Sequence, residues 1–550
     1  MPLRHIPKVA AHAPVPDGPE PVRHGPRPPG IPVPATTVIA YDTETTGKDE
    51  TACQITQFAA LLCDQGYNRV ASVDIQVALL PYVIPSPGAL LVTRTDPNVL
   101  TGPGRLDEYD ASRMILDALN PPGAGPRVMV TFNGIKFDDE VIRRMAFRNM
   151  LDHLEFMDGV TRVDLLHLSR AIFRSSGGSL KEPVPGPDGK SSHRLGDVCA
   201  ANGIDIVGAH EAGADVAATM DLADLIRTND PWAWELALAC GSMAEVMRHL
   251  PRHGAAWIVD TKGNSPSRGA TPFAYLGPAG KKMGLFVEAN AFYGGRPLPV
   301  TLPSGREMRY GPPREASDHA GEPPGTGDGR TQPWPIRLVP LNKSVLILRG
   351  PEDVERYVCE DDASAADRMA DGFLHDPARQ ADVRRLRAHA QAETKTLYDD
   401  FIVDERDSDA CIYKGEWLSP TDKQNRDRFR EADTLNTMCN IEFRDKRMRD
   451  FAARIMLRLY GFDRIFAMRK SPYAADCLQA AEHAHSRAWL DDVPAGDKGW
   501  TTARMFREEA EGDEAMLRWL DEHRPAPPFE DAGLPEPDDV EEETSAPGMR

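Results

Sequence analysis

A chain of 550 residues and 60.5 kDa has room for about two to four domains of ordinary size. Hydrophobic residues make up 41% and charged residues 27%, and no apolar run approaches the roughly 20 residues of a membrane span, so a soluble globular protein with no membrane partner is expected. The formal net charge of −20 argues by itself against a nucleic-acid ligand, but residues 521–550 hold ten acids against two arginines. The charge of the rest is therefore more balanced, and local basic clusters carry the question of a phosphate-bearing partner.

Residues 1–36 are crowded with proline, lack the apolar block of a secretory signal, and read as a disordered leader. From Thr37 the text becomes regular. "TTVIAYDT", "CQITQFAALLCD" and "VASVDIQVALL" carry short β-branched or alternating apolar runs bounded by polar turns, which predicts three consecutive strands. "SRMILDALN" has helical period, "RVMVTF" is a strand, and "DDEVIRRMAFRNML" and "VDLLHLSRAIF" are helices. After the loop "VPGPDGKSS" comes an alanine-rich helix with its lead-in, "VGAHEAGADVAATMDLADLI". These elements compose one α/β domain over 37–228.

"NDPWAW" has the Asp-Pro form of a helix start and opens the next segment. The short runs "AAWIVDT", "MGLFVEAN", "RPLPVTL", "PIRLVPLN" and "SVLILRG" predict a small β unit over 229–350, interrupted by a long loop at about 311–335. Residues 351–522 are charged, alanine-rich and helical in texture, and 523–550 form an acidic, proline-spaced tail expected to be disordered. Eight cysteines are widely spaced with no C-x-x-C pair, which predicts neither a zinc ribbon nor a disulfide framework and fits a reducing cytoplasm.

The chemistry begins in "VIAYDTETTG". Residues i and i+2 of a strand share a face, so Asp42 and Glu44 converge on one spot at the strand's end. A lone D-x-E is usually solvated surface. In "TFNGIKFDDE" a strand runs into an Asn-Gly turn, and Asp138 and Asp139 open a helix, where capping and the helix dipole alone explain acidic residues. In "AHEAGADVAATMDLA", His210 and Asp215 flank another helix start among small residues. Each piece has an ordinary structural explanation; the ordered set D-x-E, N-x3-F-D, H-x4-D is far rarer than its parts.

That set resembles the three exonuclease motifs of the DEDD superfamily, in its histidine-bearing branch. The resemblance implies that Asp42, Glu44, Asp138 and Asp215 hold two divalent metals, Mg2+ with Mn2+ as a possible substitute, and that His210 is the general base. Hard cations suit such a set of oxygen donors. The flanks "FNGIKFDDEVIRRMAFRNML", "HRLGDVCAANGIDIVGAHEAGADVAATMDLADLI", "PGALLVTRTDP", "PIRLVPLNK" and "IEFRDKRMRDFAARIMLRLYG" resemble the bacterial exonuclease I family over roughly residues 36–480. This implies a ribonuclease H-like exonuclease domain, an SH3-like β domain and a helical C-terminal domain in a monomer. It further implies 3′→5′ hydrolysis of single-stranded DNA to 5′-mononucleotides in repair and recombination, with Arg194 and Glu44 against the substrate. The acidic C-terminal tail of single-stranded-DNA-binding protein is the second partner implied. An exoribonuclease of the same superfamily and a non-catalytic single-strand-binding protein stay open as alternatives.

"DKQNRDRFR" (422–430) and "FRDKRMRDFAARIMLR" (443–458) interleave arginines with Phe429, Phe443 and Phe451, a texture suited to a groove that tracks phosphates and stacks bases. Acids alternate with these arginines, so a helix laced by internal ion pairs is the competing expectation for most of them.

Overall fold

The computed structural model describes residues 37–121, 123, 125–206, 211–250, 255–259, 269–278, 282–288, 298–301, 307–310, 336–343, 345–349, 351–357, 412, 417–461, 464–465 and 501–523. The leader, the loop at 311–335, the acidic tail from 524 and His210 lie outside the described residues. No described helix is long and apolar enough to cross a membrane.

The first layer is a five-stranded mixed sheet. Strands β1 (Thr37–Thr45), β2 (Ile55–Cys63) and β3 (Arg69–Gln76) form the antiparallel meander anticipated from the alternating runs. Two short helices follow, α1 (Pro87–Thr93) and α2 (Pro97–Leu100). Each opens on a proline behind a side-chain cap, Ser86 or Asp96, so that a missing N–H falls where none is needed. After α3 (Glu108–Leu119), β4 (Arg127–Thr131) returns parallel to β1; α4 (Asp138–Arg148) then crosses to β5 (Val160–Asp164), parallel to β4. The sheet order is β3-β2-β1-β4-β5.

Strand β5 departs from expectation, because Val163 and Asp164 had read as the first residues of a helix. They end the strand instead, and Asp164 accepts from the Leu166 backbone N–H at 3.1 Å, which starts α5 (Leu165–Arg174) one residue later. Beyond α6 (Leu195–Ala201), the long helix α7 (Ala212–Asn229) lies across β1, β2 and β4. Helix α8 (Pro231–Ala239), capped by Asp230, packs on α5, α7 and β5, so this layer continues past residue 228; α9 (Met243–His249) follows.

The alternation of β1 decides which side chains meet which helices. Val38 and Ala40 join Ala59, Val130 and the apolar face of α7 in one core, while Ile39 and Tyr41 join Phe58, Met129 and residues of α3 and α4 in another. Small residues on the α7 side, Ala40 and Ala59 opposite Ala212 and Ala218, let that helix lie close to the sheet.

A second sheet contains β6 (Ala255–Val259), β7 (Ala270–Pro278) and β8 (Met283–Glu288). A two-stranded ribbon is made by β9 (Leu298–Thr301) and β10 (Glu307–Tyr310), and β11 (Ile336–Pro340) completes the larger sheet in the antiparallel order β11-β8-β7-β6. Strands β7 and β10 were not anticipated; Pro272 within β7 reads against a strand. "SVLILRG", expected as a strand, contributes among its described residues the bridge Ile347–Ile258 with two flanking backbone bonds. Trp257, Phe273 and Phe286 belong to the same apolar core as the α7 face of the first sheet.

The helices Pro420–Glu431, Leu435–Cys439 and Lys446–Tyr460 share a third core with Tyr109, Phe147 and Met150. Helices Ala503–Glu509 and Glu514–Glu522 pack on α1 and α2 through Phe506, Trp519 and Leu520.

Candidate active site

Two carboxylates of the site follow from the period of β1. With Val38 and Ala40 turned toward α7, Asp42 and Glu44 continue the same row beyond the last apolar residue, and both are partly exposed. Asp215 lies in the first turn of α7, where the helix dipole favours a negative charge. Ligand oxygens of Asp42, Glu44 and Asp215 all lie within 4.8 Å of one another. Two stretches of chain about 170 residues apart thus deliver three carboxylates to one point.

Asp138 arrives from the other side of β1. Strand β4 ends in a turn where Asn133 takes a left-handed φ of 68°, and the Asn133 N–H donates to Asp164 Oδ1 at 2.8 Å. At Gly134 a β-carbon would stand 2.7 Å from the Thr131 Cβ and 2.9 Å from Asp138 Oδ2, so a glycine is required for the turn to close on the carboxylate. Asp138 Oδ1 accepts from the Thr43 N–H at 3.0 Å and from the Thr43 hydroxyl at 2.5 Å. Asp138 is not among the three whose oxygens meet within 4.8 Å, yet its charge is felt at both Asp42 and Glu44.

The doublet Asp138–Asp139 is resolved by its partners. Asp139 is fully buried and accepts from the Tyr41 hydroxyl and from Arg162 Nη1, the latter at 2.7 Å. Tyr41 and Thr43 share a face of β1, so they grip the two consecutive aspartates in turn: Thr43 aligns Asp138, and Tyr41 with Arg162 takes up Asp139. Sequence reasoning missed Thr43, Tyr41 and Arg162. The first two were legible only as the residues alternating with the D-x-E pair, and Arg162 sat in a strand not anticipated.

Electrostatics mark the cluster as a place that calls for a cation. Burial, then Asp138, Glu44 and Asp215 in decreasing order, hold the Asp42 carboxyl well above the usual range. Glu44 is pushed up to about 8 by burial, then by Asp215 and Asp138. Asp138 is raised to about 7, mainly by burial, against the lowering effect of the Thr43 hydrogen bond. Like charges crowded in a poorly hydrated spot take up protons unless a positive charge compensates them. The converging donors are carboxylate oxygens, the set that suits a hard divalent cation, so these residues fit a metal of that class.

The remaining predicted site residues stand as follows. His210 lies outside the described residues, two positions before α7 begins. Arg194 holds the N-cap position of α6 and is exposed. Its neighbour His193 is bonded to Glu182 Oε1 at 2.9 Å, receives Arg170 Nε at 3.2 Å and packs on Phe173. An open cavity of about 540 Å³ beside α6 is lined by Val184, Lys190, Ser192 and Asp197 among others, and by none of Asp42, Glu44, Asp138 and Asp215.

The base-stacking texture expected of 422–458 is not present. Phe429, Phe443 and Phe451 are all buried in the third core. Arg430 lies 3.8 Å above the Tyr109 ring and donates to the Tyr109 carbonyl at 2.8 Å; Arg458 donates to Asp107 at 2.7 Å; Arg447 and Arg454 pair with Asp445 and Asp450. The competing expectation of internal ion pairs describes Arg447, Arg454 and Arg458, while Arg430 meets a ring and a carbonyl. Phe429 and Phe451 face inward on the apolar stripes of their helices, and Phe443 does so from the connection between Leu435–Cys439 and Lys446–Tyr460.

A five-stranded mixed sheet flanked by helices, with carboxylates converging from its central strand and a crossing helix, has a fold of the ribonuclease H-like class. Residues 39–223 match the RNase_T family, described as Exonuclease. Exodeoxyribonuclease I of Escherichia coli K12 is 31% identical over 199 residues, which are 36% of this chain and 41% of that protein; the Haemophilus influenzae protein of the same name is 30% identical over 194 residues, 35% and 40% of the two chains. These alignments thus span about two-fifths of the curated relatives' length.

The structural likeness is wider. E. coli exonuclease I in complex with a dA16 oligonucleotide superposes with a TM-score of 0.63 at 20% identity, over 89% of this chain and 98% of that one. A moderately thermophilic exonuclease I from Methylocaldum szegediense gives 0.67 at 21% identity, over 89% and 100%. The chain is exonuclease I-like in its fold.

Proposed function

We propose that this protein is a metal-dependent 3′→5′ exodeoxyribonuclease that degrades single-stranded DNA to 5′-mononucleotides and serves DNA repair and recombination. The observation that carries the reading is the convergence of Asp42, Glu44 and Asp215 within 4.8 Å, backed by a fourth carboxylate, Asp138, close enough to raise the first two. The exonuclease match and the likeness to structures of exonuclease I, one of them solved with an oligonucleotide, support the substrate class.

In this reading Asp42, Glu44, Asp138 and Asp215 hold two Mg2+, with Mn2+ able to replace them. When bound, Mg2+ shields negative charge on the attacking and departing oxygens of a phosphodiester. His210 takes a proton from water at an imidazole nitrogen, a task for a group that titrates near neutrality. Glu44 lies against the terminal nucleotide, and the exposed Arg194 offers a guanidinium fork to a phosphate. Residues 229–350, with the second sheet and its ribbon, are read as the SH3-like domain and 351–522 as the helical domain, together forming a monomer. The C-terminal tail of single-stranded-DNA-binding protein is proposed as a partner on the strength of the ExoI/SSB-Ct complex, which has this fold. A cytoplasmic setting suits the five described cysteines, which are all buried and in no disulfide.

The test is a digestion of single-stranded DNA labelled at either end, duplex DNA and RNA, with Mg2+ or a chelator. Metal-dependent release of mononucleotides from the 3′ end of single-stranded DNA is expected. Equal digestion of RNA favours an exoribonuclease, and binding without cleavage a non-catalytic clamp; either result overturns the reading.

A further inference from the structure

The carboxylate cluster has a support that its own residues do not supply. Arg162 stands on β5 with its backbone N–H bonded to the Gly241 carbonyl at 2.8 Å, in the turn between α8 and α9. A β-carbon at Gly241 would lie 2.4 Å from Thr161 Cγ2 and 3.0 Å from the Arg162 backbone N, so that turn sits directly on the strand. The guanidinium spans two units. Nη1 donates to Asp139 Oδ2 at 2.7 Å, and Nη2 donates to the backbone carbonyl of Asn342, just past the end of β11 in the second sheet. Asp139 is 0% exposed at its side chain and Arg162 12%, so the pair is shielded from water and from screening by salt.

We infer that Arg162 is a positioning residue: by holding Asp139 against Tyr41, with its other arm on the second sheet, it fixes the first turn of α4 and so aims Asp138 at the cluster. The inference rests on the metal-dependent reading above. The geometry is specific. Asp138 and Asp139 are consecutive in a rigid first turn, Asp138 Oδ1 is committed to Thr43, and only Asp138 Oδ2, beside Gly134, is left to point at a ligand. Rotating or fraying that turn would swing Oδ2 away. A planar fork can satisfy a carboxylate and a carbonyl at once, whereas a lysine ammonium at the same place has no such geometry. The arrangement also makes the cluster sensitive to whether the second sheet is docked, because one of the two acceptors belongs to it.

The full chain is tested as wild type, Arg162→Lys, Arg162→Met and Asp139→Asn. Mn2+ binding is followed by electron paramagnetic resonance, and kcat and KM on single-stranded DNA are measured across Mg2+ concentrations. Removing a group that orients a metal ligand typically weakens metal binding or activity by about ten- to a hundredfold. All three variants should weaken Mn2+ binding and lower kcat by about that factor, with KM for DNA within about threefold, and raising Mg2+ should restore part of kcat. Arg162→Lys retains the charge and is the variant expected to fold even where Arg162→Met does not. Folded variants with unchanged Mn2+ affinity and unchanged Mg2+ dependence would show that Arg162 is only a structural ion pair, which overturns the inference. A wild-type protein that binds Mn2+ without cutting DNA would refute the nuclease reading instead, and the Mn2+ titrations of the variants would still decide the role of Arg162.

Discussion

The carboxylate cluster and the helices between Pro420 and Tyr460 are both dense in charge, and they solve opposite problems. In the cluster, Asp42, Glu44 and Asp215 bring like charges together, and the pKa values of Asp42 and Glu44 rise. In the helices, arginines alternate with acids, and each buried guanidinium has a partner: Asp107 for Arg458, Asp450 for Arg454, the Tyr109 carbonyl and ring for Arg430. The first arrangement is poor for stability and good for binding a cation; the second ties Arg430 and Arg458 to Tyr109 and Asp107 across the fold, while Arg428, Arg444 and Arg449 stay at the surface. Charge density along a chain does not distinguish the two. Whether opposite charges meet does.

Neutralising a charge should therefore have opposite consequences in the two regions. The largest effect is expected at Asp42→Asn, where loss of a metal ligand should lower kcat by about a thousandfold, the rate equivalent of ~4 kcal/mol. The same change removes a repulsive charge, so the chelated variant should unfold at a higher urea concentration than chelated wild type. Digestion assays and urea titrations together check it, and an Asp42→Asn protein as active as wild type would sink the metal assignment.

Next comes Arg430→Ala. Losing the contact over Tyr109 and the charged hydrogen bond should cost about 2–4 kcal/mol of stability, with KM for single-stranded DNA within about twofold. A large rise in KM with stability intact would mean that this arginine meets DNA after all.

The smallest and most diagnostic effect is in pH. Glu44 rises from 4.5 to about 8 and Asp138 from 3.8 to about 7, so the metal-free folded state binds more protons than the unfolded chain across that range. Stability contributed by the protonated carboxyls is present below the unfolded pKa and is lost as pH rises toward about 8. Chelated wild type should therefore lose stability between pH 5 and 8, and Glu44→Gln should lose less. Mg2+ should stabilise more at pH 8 than at pH 5. An identical pH slope in Glu44→Gln, followed by urea unfolding, would contradict the assignment.

Much of the site was legible in the sequence because strand and helix periods are local. The two-residue spacing of Asp42 and Glu44 puts them on one face whatever else the chain does, and the Asn-Gly turn before Asp138 announces itself by composition. Other features were hidden for identifiable reasons. The last two residues of "VTRVD" were absorbed into the helix that follows and the first three were assigned to no element, so β5 and Arg162 were lost together; Pro272 disguised β7; "SVLILRG" had the composition of a strand but, among its described residues, forms one bridge. The aromatic residues at 429, 443 and 451 looked available for bases until they were packed into the third core.

By itself, then, the sequence determined the order of the acidic residues, the face of β1 they occupy and the kind of domain they belong to, since each depends on neighbours a few residues away. Tertiary structure decided which of two adjacent aspartates turns to Thr43 and which to Tyr41 and Arg162, and it set Arg430 on the Tyr109 ring and carbonyl and Arg458 on Asp107. Those outcomes depend on partners brought together across tens to hundreds of residues, and in a close-packed interior a charged side chain goes where its hydrogen bonds can be completed.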